Sequence, residues 1–249
     1  TEEIALGTIV GSNISNIALI FGVSLIGYST AINPSSKRNF IALGLSVLVA
    51  IYALSDLIIS KLDSLMLLAV LAYFIYIMAI QPNNNELTVE QNDSSYLNLS
   101  IFLIIGLLSI TIGSNYAVIN GEKIALIIGI PKLIIGLTVL AIGTSLPELA
   151  VTISALMKQK NQMVLGNIIG SNVLNIAVVM PILGLFSTKT FDLSIITRDM
   201  TVMTILSLIF LIIALSFNYK NISISVYRLM GIILVFSYII YIGILGGLL

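Results

Sequence analysis

Residues 163–177 read MVLGNIIGSNVLNIA, and the same pattern stands 159 residues earlier, where residues 4–18 read IALGTIVGSNISNIA. Nine of the fifteen positions are identical: Leu6, Gly7, Ile9, Gly11, Ser12, Asn13, Asn16, Ile17 and Ala18 recur in the later copy. Two unrelated apolar helices would share far fewer, so a unit has been duplicated. In each copy a polar stripe runs at i, i+4 and i+8, which places it on one helical face: Thr8, Ser12 and Asn16, then Asn167, Ser171 and Asn175. Beside it, Gly7/Gly11 and Gly166/Gly170 form small-xxx-small patches that let a neighbouring backbone come close. Asn13 and Asn172 fit the role of hydrogen-bonding glue between helices.

Outward from this motif the whole chain is apolar. Of 249 residues, 58% are hydrophobic and only 9% are charged, with 11 Lys+Arg balanced by 11 Asp+Glu. Soluble domains carry about 25% charged residues. Histidine and cysteine are absent, which removes disulfides, zinc–thiolate sites and His-dependent catalysis. Zero net charge argues against a nucleic-acid partner. A helix needs roughly 20 apolar residues to cross about 30 Å of hydrocarbon. Eight stretches qualify as helices: 4–28, 40–59, 65–80, 97–119, 133–157, 163–186, 200–217 and 224–248. They do not alternate as β-barrel strands would. The expected fold is an all-α multi-pass membrane protein whose partner is the lipid bilayer, with no obligatory protein partner evident.

The longest separator, residues 81–95, holds Asn83-Asn84-Asn85, Glu86, Glu90 and Asp93 and reads as a polar, acidic linker. Lys and Arg divide six to five between alternate connections, a faint bias toward a cytoplasmic linker. The second copy of the motif follows two helices, 97–119 and 133–157, whereas only Thr1-Glu2-Glu3 precedes the first. The expectation is therefore a first repeat over 1–80 lacking its two N-terminal helices, a linker over 81–95, and a five-helix second repeat over 96–249. An odd number of helices per repeat inverts the second repeat. That is a transporter architecture whose site lies at the midplane between repeats.

Segment 133–157 carries Gly143-Thr144-Ser145-Leu146-Pro147-Glu148 in its interior. An ionisable residue at that depth marks an ion or substrate pathway. Pro147 should break or kink the helix and free carbonyls around Ala141 to Thr144. Every candidate ligand is an oxygen: the Glu148 carboxylate, the Thr144 and Ser145 hydroxyls, amide carbonyls of the repeat motif, and freed backbone carbonyls. Hard cations take such a set, so Na⁺ or Ca²⁺ follows from the chemistry. One carboxylate does not balance Ca²⁺, and symmetry places a second in the helix corresponding to 133–157. No protease dyad can be assembled beside this motif, and no cofactor is called for beyond the transported ions.

Gly143-Thr144-Ser145-Leu146-Pro147-Glu148, together with Gly166 to Asn172 and Gly7 to Asn13, resembles the cation/calcium antiporter superfamily, especially prokaryotic sodium/calcium exchangers. The resemblance implies ten helices in two inverted repeats of five, and electrogenic Na⁺/Ca²⁺ exchange by alternating access in a prokaryotic cytoplasmic membrane. It implies that Glu148 is shared between Ca²⁺ and Na⁺ sites, with Thr144 and Ser145 giving oxygens and Ala141 a carbonyl. Ser12 and Ser171 would complete outer Na⁺ sites, and Asn16 and Asn175 would line the central one. Members often have Asp where this chain has Asn175, and an amide neither carries a charge nor exchanges a proton, a departure that bears on stoichiometry, K⁺ dependence and H⁺ coupling. The alternative is a H⁺/Ca²⁺ or K⁺-dependent cation antiporter of the same superfamily.

Overall fold

In hydrocarbon each backbone N–H and C=O must be satisfied within its own segment, and the chain answers with helices alone among its described residues. The computed structural model describes residues 2–27, 37–80, 96–186, 189–217 and 222–247. Along them run α1 (Glu2–Ile26), α2 (Lys37–Ala53), α3 (Lys61–Ile80), α4 (Tyr96–Ile127), α5 (Lys132–Met157), α6 (Gln162–Phe186), α7 (Ile195–Ser216) and α8 (Ile224–Leu245). All except the shorter α2 are long and apolar enough to cross a bilayer. Large apolar side chains such as Phe102, Ile127 and Phe186 point outward, which suits a lipid surround and not water. This is an integral multi-pass membrane protein.

Helix α1 is the buried centre. Helix α5 runs parallel to it, with Gly7 against Leu133 and Gly136, and Gly11 against Leu137 and Ala141. A Cβ on Gly11 would stand 2.6 Å from the Leu137 carbonyl oxygen, so this approach requires glycine. Helix α6 runs antiparallel to α1, since Asn16 meets Ser171 while Ser12 meets Asn175. The far half of α1 is crossed by α8, where a Cβ on Gly231 would lie 2.5 Å from the Gly22 oxygen. Phe21 packs edge-on against Phe210 of α7 at 4.7 Å. Helix α3 meets α6 in the same way that α8 meets α1: Ser64 Oγ donates to the carbonyl of Pro181, the residue 159 positions after Gly22.

Several boundaries differ from the sequence expectation. The stretch 40–59 stops being helical at Ala53. Asp56 Oδ1 accepts the Ile58 N–H, Leu57 takes φ +68°, and Ser60 and Asp63 exchange backbone-to-side-chain bonds of 2.8 and 3.2 Å. That exchange is a capping box, and it starts α3 at Lys61. Helix α4 continues past 119 to Ile127, because Asn120, Glu122 and Lys123 are polar without being helix breakers. Gly129 at φ +84° and Pro131 end it. Helix α7 begins at Ile195 instead of 200 and so takes in Arg198 and Asp199. The expected linker over 81–95 lies outside the described residues.

Four segments widen into π-helical turns: Asn16–Phe21, Gly136–Leu140, Asn175–Val179 and Ile195–Met200. Two of them start at the paired asparagines of the duplicated motif. Such turns are rare and concentrate at functional sites.

Candidate cation-binding site

The break in α5 falls at Ser145, which takes φ −89° and ψ −1° and joins the segment Ala141–Thr144 to Leu146–Met157. Pro147 then sits in the first turn of the new segment, where its missing N–H costs nothing. Glu148 lies in that same first turn, where the positive end of the half-helix dipole favours a carboxylate. The carbonyl of Ala141 is not bare: it accepts the Ser145 N–H at 3.2 Å and the Thr144 hydroxyl at 3.2 Å. Thr144 also donates to Leu140 O at 2.9 Å. The expected loosening at the proline is thus partly recaptured by the threonine hydroxyl, while one lateral oxygen, Glu148 Oε2, is buried with no partner.

Between α1 and α6 the polar stripes meet. Asn16 Nδ2 donates to Ser171 Oγ at 3.1 Å, and Asn175 Nδ2 donates to Ser12 Oγ at 3.1 Å. These two bonds are one bond seen twice, because residue 12 corresponds to 171 and residue 16 to 175. Each serine spends its single proton on its own helix, Ser12 on Thr8 O at 2.6 Å and Ser171 on Ile168 O at 3.2 Å. Each hydroxyl can therefore only accept from the amide, which fixes the asparagines with NH₂ toward the serine and the oxygen turned away. Asn16 Oδ1 is buried with no partner.

Two further contacts close the triangle of α1, α5 and α6. Asn167 Nδ2 reaches across to the Glu148 backbone oxygen at 3.0 Å and to Thr152 Oγ1 at 3.2 Å. Ser15 Oγ lies 2.8 Å from Ser145 Oγ, both buried. The structure therefore brings together Ser12, Asn16, Ser171 and Asn175 on the two copies, and joins α5 to them through Ala141 at Gly11, Ser145 at Ser15 and the Glu148 backbone at Asn167, whereas Thr144 is exposed and its hydroxyl bonds back to its own helix. A buried acceptor left without a donor costs about 1–3 kcal/mol. Glu148 Oε2 and Asn16 Oδ1 are both in that condition, as are Asn13 Oδ1 and Asn172 Oδ1, and a cation is a group that would relieve such an acceptor. Asn13 and Asn172 behave alike, each donating back to its own helix, to Ile9 O at 2.8 Å and Ile168 O at 2.7 Å. The glue expected of them is thus intrahelical on the donor side.

Sequence reasoning passed over two residues. Ser15 was not singled out because the second copy has Leu174 at its place. Asp199 was placed just outside a span, yet it is fully buried. It accepts Arg198 Nε at 2.7 Å and Nη2 at 3.1 Å and the Tyr241 hydroxyl at 3.0 Å. Its adjacency to Arg198 at the head of an apolar run was the available signal. Arg198 lines a polar cleft of about 310 Å³ with Glu3, Leu133 and Asp192, where α1, α5 and α7 begin. Asp56 is exposed in the α2–α3 turn.

A buried, antiparallel pair of duplicated helices meeting a broken helix suits a membrane transporter of the secondary class, and the matches are to exchangers, not enzymes. The chain belongs to the sodium/calcium exchanger protein family of the cation/calcium antiporter superfamily, whose sequence profile matches residues 2–80 and 98–247. It is 30% identical over 249 residues to the putative antiporter CaxA of Alkalimonas amylolytica, covering 96% of this chain and 77% of that protein. It is 35% identical over 221 residues to the inner membrane protein YrbG of Escherichia coli, covering 84% of this chain and 68% of that protein. Among solved structures it resembles the sodium–calcium exchanger NCX_Mj soaked with 10 mM Na⁺ and 10 mM Sr²⁺. The TM-score is 0.74 at 32% identity, covering 97% of this chain and 76% of that one.

Proposed function

We propose that the protein exchanges Na⁺ for Ca²⁺ across the membrane by alternating access, binding both at the junction of α1, α5 and α6. The observation that carries this reading is the reciprocal pair Asn16–Ser171 and Asn175–Ser12, set beside the unpartnered carboxylate oxygen of Glu148. Glu148 supplies the charge, and Asn16 and Asn175 offer amide oxygens to the central ion. Ser12 and Ser171 belong to outer Na⁺ positions on either side, and Thr144, Ser145 and the Ala141 carbonyl complete the set on α5. Exchange that moves one net charge through the membrane gains about 2.3 kcal/mol per 100 mV, so voltage adds to the Na⁺ gradient. An amide neither binds nor releases a proton, and Asn175 therefore favours Na⁺ over H⁺ as the counter-ion.

The architecture in this reading is two inverted repeats, 1–80 and 96–249, joined by 81–95. Its support is an inequality between the copies. Ile4, Gly7, Gly11 and Ser15 form a face packed against α5, while the matching face of α6, Met163, Gly166, Gly170 and Leu174, is largely exposed. Among the described residues nothing lies within 4 Å of where a Cβ on Gly166 or Gly170 would stand. The pseudo-two-fold that swaps the asparagine–serine bonds carries α5 onto this face of α6. A helix packed there would bring the second carboxylate that Ca²⁺ requires.

The test is Glu148→Gln in the complete protein, reconstituted in vesicles, with Na⁺-driven ⁴⁵Ca²⁺ uptake as the readout. Uptake should be abolished, and preserved uptake would sink the reading. Ca²⁺ flux driven by a pH gradient with no Na⁺ present would transfer the assignment to a H⁺/Ca²⁺ antiporter.

A further inference from the structure

Ser15 is wholly buried, Ser145 is nearly so, and their hydroxyl oxygens lie 2.8 Å apart across the α1–α5 contact. Ser15 Oγ also lies 3.1 Å from the backbone oxygen of Ser12. A carbonyl oxygen can only accept, so the Ser15 proton goes to Ser12 O. Among the described residues no other acceptor bonds Ser145 Oγ, which gives its proton to Ser15. The bonds therefore run one way, from Ser145 through Ser15 to the Ser12 carbonyl. Were the direction reversed, the Ser145 proton would be buried with nothing to accept it, at the full cost of an unmade bond.

We propose that Ser15 is a positioning residue for cation binding by Ser145, a proposal that rests on the exchanger reading above. By drawing the Ser145 proton toward α1, Ser15 leaves both Ser145 lone pairs free for a cation. Because consecutive hydrogen bonds polarise one another, it also makes that oxygen a more negative ligand. The ligand this suits is a monovalent hard cation, which neutral hydroxyl and carbonyl oxygens can hold without a second carboxylate. The second copy has Leu174 at the equivalent position, with no hydroxyl to give. The device is therefore built into one repeat only, and the two outer Na⁺ positions are chemically unequal although the motif around them is duplicated.

The experiment measures half-saturating Na⁺ and half-saturating Ca²⁺ for exchange by the complete protein in vesicles. Ser15→Ala should raise half-saturating Na⁺ by about 3–10-fold, the worth of one hydrogen bond, and leave half-saturating Ca²⁺ within about 2-fold of unmodified protein. In a Ser145→Ala background the same change should add nothing, because the oxygen it orients is gone. Ser15→Thr, which keeps the hydroxyl, should restore the unmodified Na⁺ dependence. Unchanged Na⁺ dependence in Ser15→Ala overturns the proposal, as does an equal effect with and without the Ser145 hydroxyl or a Thr variant as weak as the Ala variant. If the unmodified protein shows no Na⁺-driven Ca²⁺ flux at all, the exchanger reading falls instead.

Discussion

The side-chain amide of Asn175 donates to the hydroxyl of Ser12 at 3.1 Å, across 163 residues of chain. Ser12 can accept because its proton is already committed to Thr8 O. An aspartate at this position has no proton to donate when ionised. Asn175→Asp therefore forces Ser12 to turn its proton away from Thr8, or leaves two acceptors facing each other. The variant should lose the lock and gain a titratable group inside the site. Na⁺-driven Ca²⁺ uptake measured between pH 6 and 8 should acquire a titration step that the unmodified protein lacks, and an identical pH profile would count against the geometry.

Glycine pairs test the repeat symmetry. Gly11→Ala would put a methyl group 2.6 Å from Leu137 O and 2.7 Å from its Cα, both backbone atoms that yield only if α1 and α5 part. Overpacking of this kind costs about 1–3 kcal/mol, so the detergent-solubilised protein should melt several degrees lower and exchange should fall. Gly170→Ala in the complete protein should be equally harmful if the matching helix packs on α6. A benign Gly170→Ala would remove the support for that helix.

Asp199 makes a prediction of the opposite kind, stability without selectivity. Asp199→Asn takes the carboxylate from an Arg198 guanidinium that is 34% exposed, so the loss stays below the cost of about 3–5 kcal/mol for a fully buried ion pair robbed of one member. Tyr241→Phe removes one hydrogen bond to a charged group, worth about 1.5–3 kcal/mol. Both should lower the unfolding midpoint, while the protein that remains folded keeps its half-saturating Na⁺ and Ca²⁺. A shift in either half-saturation would place Asp199 in the transport path.

Two exposed groups at the head of α7 give the pH dependence its outer limits. Hydrogen bonds from Ser194, its side chain first and then its backbone, hold the Asp192 carboxyl below the usual carboxylate range. Its contribution is present above that range and is lost as pH falls through the lowered value. The hydrogen bond to Glu3 raises Lys189 above the usual lysine range, so its contribution is present at neutral pH and is lost only as pH rises through the raised value. Exposed pairs of this kind contribute little and are screened by salt. Glu3→Gln should therefore leave the melting temperature unchanged at 0.15 M salt between pH 6 and 8, and a clear drop would show a stronger tie between α1 and α7 than the geometry supports.

Much of the fold was legible because spanning helices must be apolar and because duplication leaves identical letters. The break before Glu148 was legible too, since Pro147 has only a few ways to sit in a helix. The wide turns at Asn16 and Asn175 were not, because a single extra residue per turn leaves no mark in composition or in the four-residue stripe that precedes it. The repeat singled out Ser12, Asn16, Ser171 and Asn175, and these four pair with one another between α1 and α6. Ser15 was missed because it breaks the repeat, and Asp199 because a boundary drawn five residues late put a buried acid at the surface. The early end of α2 was readable all along in Ser60 and Asp63, a capping signature hidden by the apolar residues before it.

A π turn takes up one residue more than an α turn, which rotates everything beyond it by about 100°. Helix α1 is therefore out of phase with itself: the face that carries Thr8, Ser12 and Asn16 does not continue into the face that presses Gly22 against Gly231. The same holds for α6 on either side of Asn175. Each helix thus has two independent addresses, one for the polar junction and one for the scaffold, with an asparagine standing at the phase change between them.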